Sequence, residues 1–181
     1  MKKENTALYV LRLAVTLLVI AGVMAAALAG VNALTAPKIA QLNHEKTQKA
    51  VSAVLEGGGA EIEAPAMDKV SKMYKGENGY AVEVTPSGFD NTITMMVGVD
   101  FDGNVTGISI ISHTETAGLG AVAAATTSAG EAFRAQFVGL NGNVSVTKDG
   151  GQVEAITSAT ITSRAVCAGV NAALAAVAAI G

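Results

Sequence analysis

Residues Leu13–Leu34, LAVTLLVIAGVMAAALAGVNAL, run for 22 positions without a charge. At about 1.5 Å per residue this makes about 33 Å of helix, enough to cross a hydrocarbon core of about 30 Å. The run therefore predicts a transmembrane helix and divides the chain into a short tail, residues 1–12, a span, residues 13–34, and the 147 residues after it. Lys2, Lys3 and Arg12 flank the near end, and Pro37 and Lys38 close the far one. This favours an N-terminus in the cytoplasm. The alternative is a cleaved signal peptide, for which Ala27-Leu28-Ala29 is a suitable small-x-small site. The run is longer than a signal core of about 7–15 residues, which favours a retained single-pass anchor in the cell (inner) membrane, in contact with lipid. Either way, the residues after 37 are expected outside the cytoplasm.

The mean hydropathy of +0.43 and the 15% charged residues are explained in part by this run. Of 12 basic and 15 acidic residues, three and one precede residue 35. The outer part thus carries nine and 14, a formal charge of −5. That balance excludes nucleic acid as a partner, and so does the lack of Trp among only 4% aromatics. Two His and one Cys cannot build a Cys/His zinc site, and the single Cys167 cannot form a disulfide within the chain; it reads as a buried, inert thiol. No metal site and no catalytic residue is assigned. His113, at a strand end, reads as a surface or hydrogen-bonded side chain.

Periodicity predicts an α+β domain with a small antiparallel sheet packed by helices. Ala36 to Leu55 reads as a helix leaving the membrane, stopped by Glu56-Gly57-Gly58-Gly59. With an irregular stretch to about Tyr74, it makes residues 35–75 a connecting helix and linker, and residues 76–181 the main domain. Gly79 to Thr85 alternates as a strand, and Pro86-Ser87-Gly88 turns it. Asn91–Asp100 and Val105–Ser112 flank Asp102-Gly103 and predict a hairpin. A loop from Thr114 to about Gly120 leads to a helix within Ala121 to Phe137. Val144–Thr147 and Gln152–Ile156 read as two short strands. The Ala-rich stretch from about Thr162 to Ile180 reads as a helix on the sheet, since Arg164 and Asn171 make it a poor second span.

The segment Thr157-Ser158-Ala159-Thr160-Ile161-Thr162-Ser163 precedes that helix. Helix capping accounts for one hydroxyl, not five. A strand–turn–helix junction also gathers free N–H groups and the positive end of a helix dipole, which favours a bound phosphate near Thr160.

These residues carry a resemblance. Glu154-Ala-Ile-Thr-Ser-Ala-Thr160-Ile-Thr-Ser is similar to the flavinylation motif of FMN-binding domains, Asp-x-x-Ser/Thr-Gly-Ala-Thr. His113-Thr-Glu115-Thr116-Ala117-Gly118-Leu119-Gly120 resembles that family's Glu-Thr-Pro-Gly-Leu-Gly loop, and Gln136-Phe137 its next helix. Val31-Asn-Ala-Leu-Thr-Ala-Pro37 resembles the end of the membrane anchor in G subunits of Rnf complexes.

The resemblance implies FMN joined covalently to Thr160 by a flavin transferase. It places Thr157, Ser158, Ala159, Ile161, Thr162 and Ser163 around the phosphate, and Glu115, Thr116, Gly118 and Leu119 near the isoalloxazine ring. It also implies a redox relay among the membrane and peripheral subunits of a complex that couples ferredoxin:NAD electron transfer to Na⁺ or H⁺ movement. The C subunit of the Na⁺-pumping NADH:quinone oxidoreductase shares the motif, with a longer outer part. A non-redox anchored binding module and a secreted flavoprotein are the other readings. Glu154, Ser158 and Ala117 depart from the motif's Asp, Gly and Pro. Ser158 fits in place of glycine if its φ is negative.

Overall fold

The computed structural model describes residues 6–180. Lys2, Lys3 and Glu4, which flank the apolar run, lie outside the described residues. The chain forms two compact units, divided between His44 and Glu45.

A single helix, α1, spans Thr6–Val54. The stretches read as helices over 13–34 and 36–55 are thus one element, with Pro37 inside it. A proline in a helix removes one N–H donor without necessarily ending the helix. In the first unit the apolar side chains are exposed, from Leu8 through Leu34 to Leu42. A solvated helix would not carry so many Leu, Val and Ile side chains on every face; a helix apolar all round suits lipid.

The second unit is built on a five-stranded antiparallel meander in the order β1 (Ala60–Ile62), β2 (Val70–Lys75), β3 (Gly79–Val84), β4 (Thr94–Asp100), β5 (Val105–Ser112). The stretch read as an irregular linker up to Tyr74 therefore contains two strands. β1 has three residues, and β2 exposes Ser71 and Lys72, so neither shows a clean alternation. Their place in the sheet comes from pairing, β2 with β3 and β1 with β2. The hairpin forms where Asp102-Gly103 predicts it. Gly103 has φ 83°, and the Asp100 carboxylate accepts from the N–H groups of Asp102 (3.0 Å) and Asn104 (2.7 Å). Those bonds, with the Asn104 amide first among them, hold Asp100 below the usual carboxylate range.

Both faces of the sheet are covered. On one, Met73, Val82, Val84, Met95, Val97 and Val99 meet the final helix, α3 (Thr160–Ala178). On the other, Tyr74, Ala81 and Met96 meet Ala50, Val51, Val54 and Leu55 from the end of α1 and just beyond. Period-two alternation in β4 sends Met95 and Met96 to opposite sides. Gly98 lets α1 approach, because a Cβ there would lie 2.4 Å from the Val54 carbonyl oxygen. α1 ends at Val54, and Gly57 and Gly58 follow with φ of 80° and 74°, the left-handed turn that stops a helix. α3 is apolar enough to cross a membrane, yet ten of its residues are buried. One is Cys167, whose thiol burial pushes up to about 11.

Between β5 and α3 the expectations need correction. The helix read over 121–137 is a 3₁₀ turn, Gly120–Ala124, followed by the shorter α2, Ser128–Ala135, with Thr127 as its N-cap. The two strands read over 144–156 are not strands. They meet in one isolated bridge, Val146 to Val153, and Thr147–Asp149 forms a 3₁₀ turn. Val144, Val146 and Val153 are buried as strand residues would be. Amide side chains satisfy the backbone instead of a neighbouring strand. Asn171 takes the Val144 N–H and gives its own N–H to the Val144 carbonyl, both at 2.8 Å. Gln136 does the same for Glu154, at 2.7 and 3.3 Å. Buried backbone groups need partners but not strand partners.

Candidate functional site

α3 begins at Thr160, two residues before the expected start, with Ala159 as its N-cap. No side chain caps it. The N–H groups of Thr160, Ile161 and Thr162 have no acceptor among the described residues; the first bond back is from the Ser163 N–H to the Ala159 carbonyl, at 3.0 Å. Three free donors thus stand at the positive end of a 19-residue helix.

The hydroxyls have distinct tasks. The Ser163 hydroxyl, fully buried, accepts from the Ile156 N–H and donates to the Ala159 carbonyl, each at 3.0 Å. It fixes the turn that delivers residues 157–159 and is not left for a ligand. The Thr162 hydroxyl donates to Glu115. The Thr160 hydroxyl accepts from the Lys148 ammonium at 3.3 Å.

A cavity of about 280 Å³ opens at this helix start, lined by Phe89, Glu115, Thr116, Leu119, Gly120 and the run 158–162. It is close to the lower end of small-molecule sites, about 300 Å³. Of the site residues read from sequence, Glu115, Thr116, Leu119, Ser158, Ala159, Thr160, Ile161 and Thr162 meet here. Thr157 and Gly118 do not; they line a separate groove of about 380 Å³ with Phe133, Gln136 and Glu154.

Glu115 organises the cavity. It is 7% exposed and uses both oxygens. Oε1 accepts from the Phe89 N–H at 2.9 Å, and Oε2 accepts from Thr162. It thereby joins three separate segments: the turn after β3, the loop after β5 and the start of α3. Gly88 and Gly120 make room for it, because a Cβ would stand 2.2 Å from Oε1 at the first and 2.5 Å from Oε2 at the second. At the rim, Phe89 (64%), Leu119 (40%) and Ile161 (49%) are exposed. Large apolar groups gathered at a cavity mouth are the usual lining for a planar ligand.

Sequence reasoning did not find Phe89 or Lys148. The signals were a Phe in a Pro/Gly turn, in a chain with four Phe, and a Lys in the Lys148-Asp149-Gly150-Gly151 turn. His113 is half-buried, and its Nδ1 is buried with no partner among the described residues. His113 lines neither the cavity nor the groove.

Ser158 has φ 61°, the left-handed region, not the negative φ that its substitution for glycine invites. This conformation costs a non-glycine residue about 1–2 kcal/mol, partly offset by the extra chain entropy of glycine, about 0.5–1 kcal/mol. Ser158→Gly is expected to raise stability by about 0.5–1 kcal/mol, an increase of about 2–4 °C in thermal unfolding. No increase would mean that Ser158 is not held left-handed.

An FMN-binding domain matches residues 88–175, which hold the cavity, and an RnfG N-terminal region matches residues 1–54, essentially α1. The chain is 35% identical to the G subunit of the Na⁺-translocating ferredoxin:NAD⁺ oxidoreductase complex of Acetobacterium woodii, covering 90% of this chain and 88% of the relative. It is 34% identical to the G subunit of an ion-translocating oxidoreductase complex of Methanosarcina acetivorans, covering 84% and 86%. The G subunit of the Aliivibrio fischeri complex is 43% identical over 49% of this chain and 44% of its own. From its anchor-like helix to the segment around Thr160, the chain belongs to the family of G subunits of ion-translocating oxidoreductase complexes.

Proposed function

We propose that this chain is the membrane-anchored electron-transfer subunit of an Rnf-type complex and carries FMN through a phosphoester on Thr160. The supporting observation is the placement of one threonine hydroxyl, three free N–H groups and an apolar rim around one cavity, inside the FMN-binding domain. The residues fit the group: donors and a helix N-terminus for a phosphoryl, and Phe89, Leu119 and Ile161 for a planar ring.

Bound FMN supplies the redox chemistry, accepting and releasing electrons. The chain supplies attachment, position and shielding. Thr160 Oγ1 carries the ester, and the N–H groups of Thr160–Thr162 hold the phosphoryl. Glu115 keeps the Phe89 turn and the start of α3 in register, and the apolar rim excludes water. Thr116 and Leu119 border the ring, while Gly118 lines the neighbouring groove. Thr157 and Glu154, on the neighbouring groove, are presented to the flavin transferase that makes the bond.

The tail of residues 1–12 is cytoplasmic, residues 13–34 span the membrane once among lipid and partner subunits, and the domain faces outward. A covalent tie suits that side, where lost FMN is not readily replaced. In membranes lacking this chain, the wild-type gene is expected to restore ferredoxin-dependent NAD⁺ reduction and Thr160→Val to leave it at background. Full restoration by Thr160→Val would refute the role given to the attached flavin.

A further inference from the structure

We propose that Lys148 is the cation that pairs with the phosphodiester carried on Thr160, and that the Asp149–Arg164 ion pair holds it in place. This rests on the attachment reading above and adds the residue that balances the charge of the linkage.

Lys148 and Asp149 lie together in the 3₁₀ turn Thr147–Asp149. Each reaches α3. The Lys148 ammonium donates to Thr160 Oγ1 at 3.3 Å, and the Asp149 carboxylate accepts from Arg164 Nε at 2.7 Å and from its terminal nitrogen at 2.6 Å. Thr160 and Arg164 are four residues apart and share a face of the helix. Two consecutive turn residues therefore clasp successive turns of α3. The turn is itself fixed: the Thr147 N–H bonds the Val153 carbonyl at 2.8 Å, and the Asp149 N–H bonds the Val146 carbonyl at 2.9 Å.

The neighbouring cations are committed elsewhere. Arg164 is engaged by Asp149 in a two-pronged pair, and its hydrogen bond holds that carboxyl below its ordinary range. Arg134 donates to the carbonyls of Ala123 and Ala125 at 2.7 and 2.9 Å. Among the described residues, Lys148 is the cation in contact with Thr160.

A neutral hydroxyl gives an exposed ammonium little reason to stay, since ordering a lysine side chain costs rotamer entropy. A phosphodiester on the same oxygen gives it one. That group keeps one negative charge, which charge-assisted hydrogen bonds and the helix N-terminus both stabilise. The surrounding outer domain is acidic, so the local positive charge must come from residues placed as these are.

The test uses the full-length protein co-expressed with a flavin transferase, in detergent, and compares ³¹P resonances at neutral pH. A phosphodiester holds one fixed negative charge there, so a displacement between variants reports a changed neighbour. Lys148→Met, which removes the charge, should displace the resonance from its wild-type position. Lys148→Arg, which keeps the charge, should hold it close to that position.

Initial attachment, read as fluorescence on denaturing gels, should slow about tenfold or more in Lys148→Met, and stay within about twofold in Lys148→Arg. Both unflavinylated variants should melt as wild type does, which separates a charge role from misfolding. Identical resonances for wild type and Lys148→Met at neutral pH, with equal attachment rates, would overturn the proposal and leave the Thr160 reading standing. A wild-type protein with no phosphodiester resonance would remove both.

Discussion

Thr160→Val is expected to abolish covalent flavin while leaving the fold intact. Valine keeps the shape and β-branching of threonine and removes the hydroxyl oxygen. In the structure that oxygen has one contact, from the partly exposed position at the start of α3 to the exposed Lys148. Loss of such a contact changes stability by about 0.5 kcal/mol or less. The variant should therefore unfold at the wild-type temperature and carry no fluorescence after denaturation. Thr160→Ser keeps the nucleophilic oxygen and should still fluoresce. The neighbouring hydroxyls are poor substitutes: Ser163 is bonded into the turn, and Thr162 is bonded to Glu115. A fluorescent band of wild-type intensity from Thr160→Val would sink the assignment.

Glu115→Ala should do the reverse, damaging the fold and flavin retention together. Its removal leaves the Thr162 hydroxyl, 2% exposed, and the Phe89 N–H without their acceptor. Each buried, unsatisfied polar group costs about 1–3 kcal/mol. The Phe89 N–H is partly reached by water, so the total is about 3 kcal/mol, a large share of a domain stability of about 5–15 kcal/mol. The turn bearing Phe89 loses its tie to α3, and the cavity loses a wall. Glu115→Gln is the informative control. Its amide oxygen accepts from Phe89 and its amide N–H donates to Thr162, so its cost should be about 1 kcal/mol. Chemical denaturation of the three proteins measures the difference. Equal stabilities for Glu115→Ala and wild type would mean that Glu115 does not join these segments.

The parts legible in the sequence are those fixed by local rules. The uncharged run, the Asp102-Gly103 hairpin and the glycine stop after α1 each follow from residues close together in the chain. β1 and β2 were hidden because a three-residue strand and a lysine-bearing one acquire their structure by pairing, β2 with β3 and β1 with β2. The false strands at 144–156 have strand-like valines, and the reason they are not strands lies far away, in the amides of Asn171 and Gln136. Around Thr160 the motif located the hydroxyls. It did not reveal that Ser163 is structural or that Ser158 is left-handed. It also could not place Phe89 and Lys148 beside them, because those contacts join segments that are distant in sequence.

Everything proposed for the site depends on the bond between Thr160 and FMN, and peptide mapping reads that bond. Cleavage after Lys148 and Arg164 releases the peptide Asp149–Arg164, which carries the hydroxyls of Thr157, Ser158, Thr160, Thr162 and Ser163. Protein made with a flavin transferase should show a mass gain equal to FMN less one water, with fragmentation assigning it to Thr160. The same gain on any of the other four hydroxyls, or an unmodified peptide from fully folded protein, would contradict the bond.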